Sequence, residues 1–209
     1  MKIDHFIYDF DGTLSNSYPI FLKILLEIIH RHDGKTTCTE AELYRRLKNR
    51  NVEGYRAVEW SDGFTAKEFA SEFHVLQGKY AKEFKLFDGA RELLEAVVKS
   101  GKKNYLYTHS GKVVYEIMDN MGVSQYFTYV LDASQGFPSK PAPDALLSLV
   151  ERFDLDPKVC VMIGDRPLDV QAGANAGMQS CFWDLEGFFP NTPATYHVEK
   201  LSDIQKLIR

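Results

Sequence analysis

The chain has 209 residues, enough for one sizeable core or for a core with a smaller insert. Apolar residues make up 44% and charged residues 26%, a globular balance, and no apolar run approaches the roughly 18 residues of a membrane span. A formal net charge of -4 argues against a general nucleic-acid binder, which would be basic.

Residues 3–10, IDHFIYDF, are rich in β-branched and aromatic types and too short for a helix, so they are expected to form a buried strand. Gly12 opens its exit turn. From Tyr18 to His30, the residues Ile20, Phe21, Ile24, Leu25, Ile28 and Ile29 follow a helical period that Asp33 and Gly34 stop. Thr39 with Glu42 makes one capping box, for a helix to about Lys48. Thr65 with Glu68 makes another, for a helix ending near Lys85. A single crossover in a parallel sheet does not use this many helices. Residues 16–84 are therefore expected to form an inserted helical cap domain, with 1–15 and 85–209 as an α/β core domain.

After Asp88 the pattern alternates. Helices are expected over 89–100, 112–121, 144–153 and 168–176, and strands over 103–108, 127–131, 159–163 and 179–183. The tail YHVEKLSDIQKLIR reads as a short strand and a last helix. Alternating strands and amphipathic helices predict a Rossmann-like parallel sheet covered on both faces. The three cysteines, Cys38, Cys160 and Cys181, form no paired framework, and residues 1–13 carry acids where a signal peptide would be apolar. A cytoplasmic location is the expectation.

Open parallel sheets bind ligands at the carboxyl ends of their strands. Those ends carry Asp9 and Asp11 after the first strand, and Thr108, His109 and Ser110 after the second. Lys140 follows the third, and Asp165 with Asp169 the fourth. Carboxylates gathered on one rim repel one another unless a cation sits among them, and few hard oxygen ligands suit Mg²⁺. One carboxylate could attack phosphorus and a second could move protons, while Lys140 and the metal would stabilise phosphoryl charge. The Thr108 hydroxyl and the N–H groups of Ser110 and Gly111 would add to the anion site. Each residue alone has a plain alternative. Asp9 and Asp11 could be turn formers, Asp165 a helix cap, Asp169 a solvated charge, and Thr108 and Lys140 ordinary strand and loop residues.

The motifs DFDGTL at 9–14, Thr108 ending the second strand, Lys140 in SKPAPDAL and GDRPLD at 164–169 occur in this order. With them the sequence resembles the haloacid dehalogenase superfamily phosphatases with a helical cap after the first strand, and looks phosphoglycolate-phosphatase-like. The resemblance implies Asp9 as nucleophile and metal ligand. It implies Asp11 as acid and base, binding metal through its backbone carbonyl. Asp165 would be the third protein ligand, Asp169 a support of the metal site, and Lys140 the partner of Asp9 and phosphate. The implied reaction is Mg²⁺-dependent hydrolysis of a small organic or sugar phosphate monoester through an aspartyl-phosphate. The implied partner is a small phosphorylated metabolite, with neither nucleic acid nor membrane, for a monomer or homodimer. THS at 108–110 departs from the usual pattern and leaves His109 outside the catalytic set.

Two alternatives share the fold: a phosphomutase similar to β-phosphoglucomutase, and a non-catalytic binding protein, which would be expected to have lost a catalytic side chain. The stretch 45–56 carries Arg45, Arg46, Lys48, Arg50 and Arg56 against Glu53. Its functional reading is that one or two of these bases face the core and hold the substrate's anionic end, its plain reading a solvated helix face.

Overall fold

In a computed structural model, which describes residues 2–49, 51–61 and 63–208, the first strand is β1 (His5–Tyr8). Four helices follow: α1 (Tyr18–Arg31), α2 (Glu40–Asn49), α3 (Asn51–Arg56) and α4 (Ala66–Lys79). The alternating part then runs α5 (Ala90–Lys99), β2 (Lys103–Tyr107), α6 (Val113–Asn120), β3 (Phe127–Leu131), α7 (Asp144–Phe153), β4 (Cys160–Gly164), α8 (Pro167–Asn175), β5 (Gln179–Phe182) and β6 (Tyr196–His197). A 3-10 helix over Leu201–Ile208 closes the order.

The six strands form one parallel sheet in the order β3-β2-β1-β4-β5-β6. Successive strand residues point to opposite faces. On β1, Phe6 and Tyr8 join an apolar cluster with Leu93 of α5, Ile117 of α6 and Ile204. Ile7 joins the cluster of the other face, with Leu146 of α7 and Ala172 of α8. Burial on both faces explains why β1 and β4 read as continuous apolar runs rather than as alternating ones.

Among the four helices, α1 buries Tyr18, Phe21, Ile24, Leu25 and Ile28, an apolar stripe at helical spacing. Both capping boxes form. Glu42 N donates to Thr39 Oγ1 at 3.3 Å, and Glu68 N donates to Thr65 Oγ1 at 3.3 Å. The outward and return connections lie side by side, with Asn16 N donating to Lys85 O at 2.9 Å and Phe87 N to Leu14 O at 2.9 Å.

Several boundaries differ from the sequence expectation. β1 is shorter than 3–10, and at its carboxyl end Phe10 already belongs to the turn that Thr13, Leu14 and Ser15 close onto Phe10 O. α3 was not expected. α4 ends at Lys79 rather than near Lys85, because the chain passes into tight turns, Ala81 N to Gly78 O and Glu83 N to Tyr80 O, that bury Ala81 and Phe84. The expected last helix is 3-10. No described helix is long and apolar enough to cross a membrane.

Candidate active site

Strand order reverses between β1 and β4, so their carboxyl ends flank an open crevice. Tyr8 pairs with Ile163, and Asp9 N donates to Ile163 O at 2.8 Å, which sets Asp9 and Asp165 on one rim. Two glycines permit the approach. Gly12 has φ +86°, and a Cβ there would stand 2.4 Å from Asp165 Oδ2. A Cβ on Gly164 would lie 2.2 Å from the Asp169 Cβ. Thr13 Oγ1 donates to Asp165 Oδ1 at 3.0 Å, and Arg166 N donates to Asp169 Oδ2 at 3.1 Å, so Asp165 is fixed by the loop after β1 and Asp169 by the loop after β4.

Asp9, Asp165 and Asp169 are buried, and one carboxylate oxygen from each lies within 4.8 Å of the others. The Lys140 ammonium stands 2.8 Å from Asp9 Oδ1 and 2.7 Å from Asp169 Oδ1, and donates to Tyr107 O at 3.1 Å. Arg166 Nη2 lies 3.4 Å from Asp9 Oδ2. Burial opposes the charge on Asp9, but Lys140 and Arg166 outweigh it and hold its pKa below the ordinary carboxylate value. Burial also opposes the charge on Lys140, and Asp169 and Asp9 reverse that effect, raising its pKa. Asp165 has no such balance. Desolvation pushes it up to about 7, with Arg166 and Lys48 only partly offsetting it.

Asp11 lies two residues beyond Asp9 and is partly buried. Ser110 Oγ donates to its Oδ2 at 2.9 Å. Desolvation raises its pKa to about 6, against hydrogen bonds from Ser17 and Ser110 and with the Asp9 charge adding to the rise. Neighbouring carboxyls with opposite shifts can divide nucleophilic and proton-transfer work.

The second-strand end is arranged differently from expectation. Thr108 is buried just past β2, and its Oγ1 accepts the Ser110 N–H at 3.0 Å. That N–H is therefore spent inside the turn rather than free for an anion. His109 is exposed, and its Nε2 accepts the Lys140 N–H at 3.2 Å, so it anchors the lysine's loop.

The donor set fits a small hard cation. All three grouped ligands are buried carboxylates, and Asp165 Oδ2 is buried without a hydrogen bond. Asp169 belongs to this group by its side chain, whereas Asp11 does not; the resemblance brings Asp11 in only through its backbone carbonyl.

Two cations stand at the rim in unanticipated positions. Arg166 lies inside GDRPLD itself, which was its available signal. Lys48 comes from α2, is 1% exposed, and stands 3.4 Å from Asp165 Oδ2 and 3.9 Å from Asp184 Oδ1 while donating to Glu186 Oε2. It faces the core, but toward carboxylates rather than toward an anion site. Of the other bases in that stretch, Arg45 lies over the Phe188 ring at 4.8 Å, Arg46 is exposed and Arg56 pairs with Glu53 at 2.8 Å. Arg50 lies outside the described residues.

Above the rim lies a cavity of about 450 Å³, bounded by Asp11, Ser110, Lys140 and Arg166 from below and by α1, α3 and α4 from above. That volume suits a small molecule.

The haloacid dehalogenase-like hydrolase family model matches residues 6–183. A pyrophosphatase PpaX of Listeria monocytogenes serotype 4a (strain HCC23) is 23% identical over 216 residues, covering 100% of this chain and 97% of the relative. A phosphoglycolate phosphatase of Vibrio vulnificus (strain YJ016) is 29% identical over 185 residues, covering 83% of this chain and 80% of the relative. The structure of a HAD-superfamily hydrolase from Geobacter sulfurreducens PCA superposes with a TM-score of 0.76 at 21% identity, covering 98% of this chain and 99% of that one; it shares the fold.

Proposed function

The chain belongs to the haloacid dehalogenase-like hydrolase family, and from that premise we propose a Mg²⁺-dependent phosphatase that hydrolyses a small organic or sugar phosphate monoester through an aspartyl-phosphate. The observation that carries this reading is the opposite bias of two carboxyls on one loop. Asp9 is held ionised beside Lys140 and Arg166, while the pKa of Asp11 is raised to about 6.

In this reading an Asp9 oxygen forms the bond to phosphorus as the ester P–O bond breaks, and Asp11 gives its proton to the leaving oxygen. Water then adds to phosphorus as the bond to Asp9 breaks, Asp11 takes the water's proton, and orthophosphate leaves. Lys140 and Arg166 offset the negative charge of the phosphoryl oxygens throughout. Mg²⁺, when bound, would be held by Asp9, Asp165 and the Asp11 backbone carbonyl with Asp169 in support, and would supply further positive charge there. Residues 16–84 act as a cap that covers the ester and excludes water. The partner is a small phosphorylated metabolite. Three free cysteines accord with a reducing, cytoplasmic setting.

The test is turnover of a generic phosphomonoester with Mg²⁺ and with EDTA, by the parent and by Asp9→Asn. Parent turnover that EDTA and Asp9→Asn both abolish supports the reading. Turnover at the parent rate by Asp9→Asn refutes it. A hexose 1-phosphate returned as its isomer rather than as free sugar would mark a mutase instead.

A further inference from the structure

The cavity wall facing Asp11 is largely α4, and two rows of that helix line it, Ala66–Ala70–His74 and Phe69–Phe73–Gln77. Both rows have the four-residue spacing of one helix face, and both are apolar at the N-terminal end and polar at the C-terminal end. The polar end lies against the core loop that reaches Asp11. A Cβ on Gly111 would stand 3.3 Å from His74 Cε1, and the preceding Ser110 donates to Asp11. The phosphoryl end of a substrate thus belongs beside His74 and Gln77, and its leaving group extends toward Phe69 and Ala66.

That far end is apolar and already assembled. The Phe69 and Phe73 ring centroids are 5.5 Å apart, Phe21 meets Phe73 at 5.4 Å, and Val52 and Asn51 of α3 also line the cavity. Among the described residues lining the cavity, the lysine and the arginine, Lys140 and Arg166, both stand on the core side against Asp9. Lys48, the buried base of the cap, is turned away into Asp165, Asp184 and Glu186.

We propose that the leaving group is uncharged and presents a flat apolar or aromatic face, so that the substrate is the phosphate ester of an arylalkyl-type alcohol rather than of a hydroxy acid, a sugar or another phosphate. This rests on the phosphatase reading above. A carboxylate or second phosphate carried to the far end would lose its hydration against phenylalanine and valine, and among the described lining residues there the Asn51 amide is the polar group that would meet it. A ring there buries apolar surface against rings packed at tilted and edge-on angles.

The experiment measures kcat/KM with Mg²⁺ for benzyl phosphate, phosphoglycolate, glucose 6-phosphate and pyrophosphate, since the leaving oxygens of the first three are all alkoxides. The parent is expected to favour benzyl phosphate at least tenfold over each of the others, mainly through KM. Asn51→Arg and Ala70→Lys, both at exposed helical positions, place a cation on the wall and are expected to shift the benzyl phosphate to phosphoglycolate ratio at least tenfold toward phosphoglycolate. Circular dichroism confirms that each variant is folded. Asp9-dependent hydrolysis that favours phosphoglycolate, glucose 6-phosphate or pyrophosphate, or folded variants that leave the ratio unmoved, would overturn the leaving-group inference and spare the phosphatase reading. Hydrolysis of none of the four by folded parent would remove both.

Discussion

Lys140 Nζ lies 2.8 Å from Asp9 Oδ1, with both side chains closed off from solvent. The same ammonium reaches Asp169 at 2.7 Å, so one cation offsets two buried carboxylates. Lys140→Met keeps length but removes that charge. Stripping one partner from a buried ionic group costs about 3–5 kcal/mol, and losing one charge-stabilising donor lowers kcat by roughly 10²–10³-fold. Urea unfolding in EDTA and initial rates on a phosphomonoester measure the two effects. A variant with parent stability and parent kcat would show that Lys140 is a bystander.

Asp11 sets the expected pH dependence of the rate. As the proposed acid of the first step it would have to be protonated, and its pKa is raised to about 6. kcat/KM should therefore fall about tenfold per pH unit above a descending limb near pH 6. Asp11→Asn, which holds no titrating proton, should flatten that limb and leave only residual turnover. A rate that climbs steadily from pH 6 to 8 in the parent would contradict the assignment.

Metal-free stability should move the same way. Asp11 and Asp165 have folded-state pKa values raised to about 6 and about 7. Over the window from their ordinary values near 4 up to 6–7 the folded chain binds more protons than the unfolded one, so stability falls as pH rises. The depressed pKa of Asp9 contributes in the opposite sense, but only as pH falls toward and below its ordinary value. In EDTA the midpoint of thermal unfolding should thus drop between pH 5.5 and 7.5. Mg²⁺ should restore more stability at pH 7.5 than at 5.5, because it binds the ionised carboxylates. Calorimetry at the two pH values checks both signs.

Asp165→Asn and Asp169→Asn should separate a metal ligand from its support. Both carboxylates are buried, and Asp165 Oδ2 has no hydrogen bond. Loss of a supporting partner weakens metal affinity roughly 10–100-fold, and loss of Asp165 should weaken it further. Titration calorimetry with Mg²⁺ gives the ranking; Asp169→Asn binding more weakly than Asp165→Asn would reverse the two roles.

Asp9, Asp11, Thr108, Lys140, Asp165 and Asp169 could be placed on one rim from sequence because each follows a strand end by one to nine residues, and strand ends in a parallel sheet converge by topology. Phe6, Tyr8, Val161 and Ile163 announced β1 and β4 because burial on both sheet faces leaves little polarity in the run. What tertiary packing decides was not legible. Lys48 donates to Glu186, 138 positions away, and neither residue carries a local signal for the other. The Thr108 turn that takes up the Ser110 N–H looked, as a sequence, like a free anion loop. The end of α4 at Lys79 follows from Ala81 and Phe84 turning inward, a burial decision that helical periodicity does not contain.

Lys48 supplies the last prediction, because its charge competes for the place that suits a metal. It stands 3.4 Å from Asp165 Oδ2 in a position that is nearly dry, and Glu186 and Asp184 draw it toward the other side. Lys48→Met removes a cation that opposes the approach of a divalent one, so Mg²⁺ affinity should rise several-fold while EDTA-treated stability falls by about 3–5 kcal/mol. Glu186→Gln acts with the opposite sign on binding. It loosens the pull away from Asp165, lets the ammonium neutralise that carboxylate more fully, and should weaken Mg²⁺ binding several-fold. Titration calorimetry on the two variants reads this antisymmetry directly. If both shift affinity in the same direction, the lysine acts through packing of α2 on the core rather than through its charge.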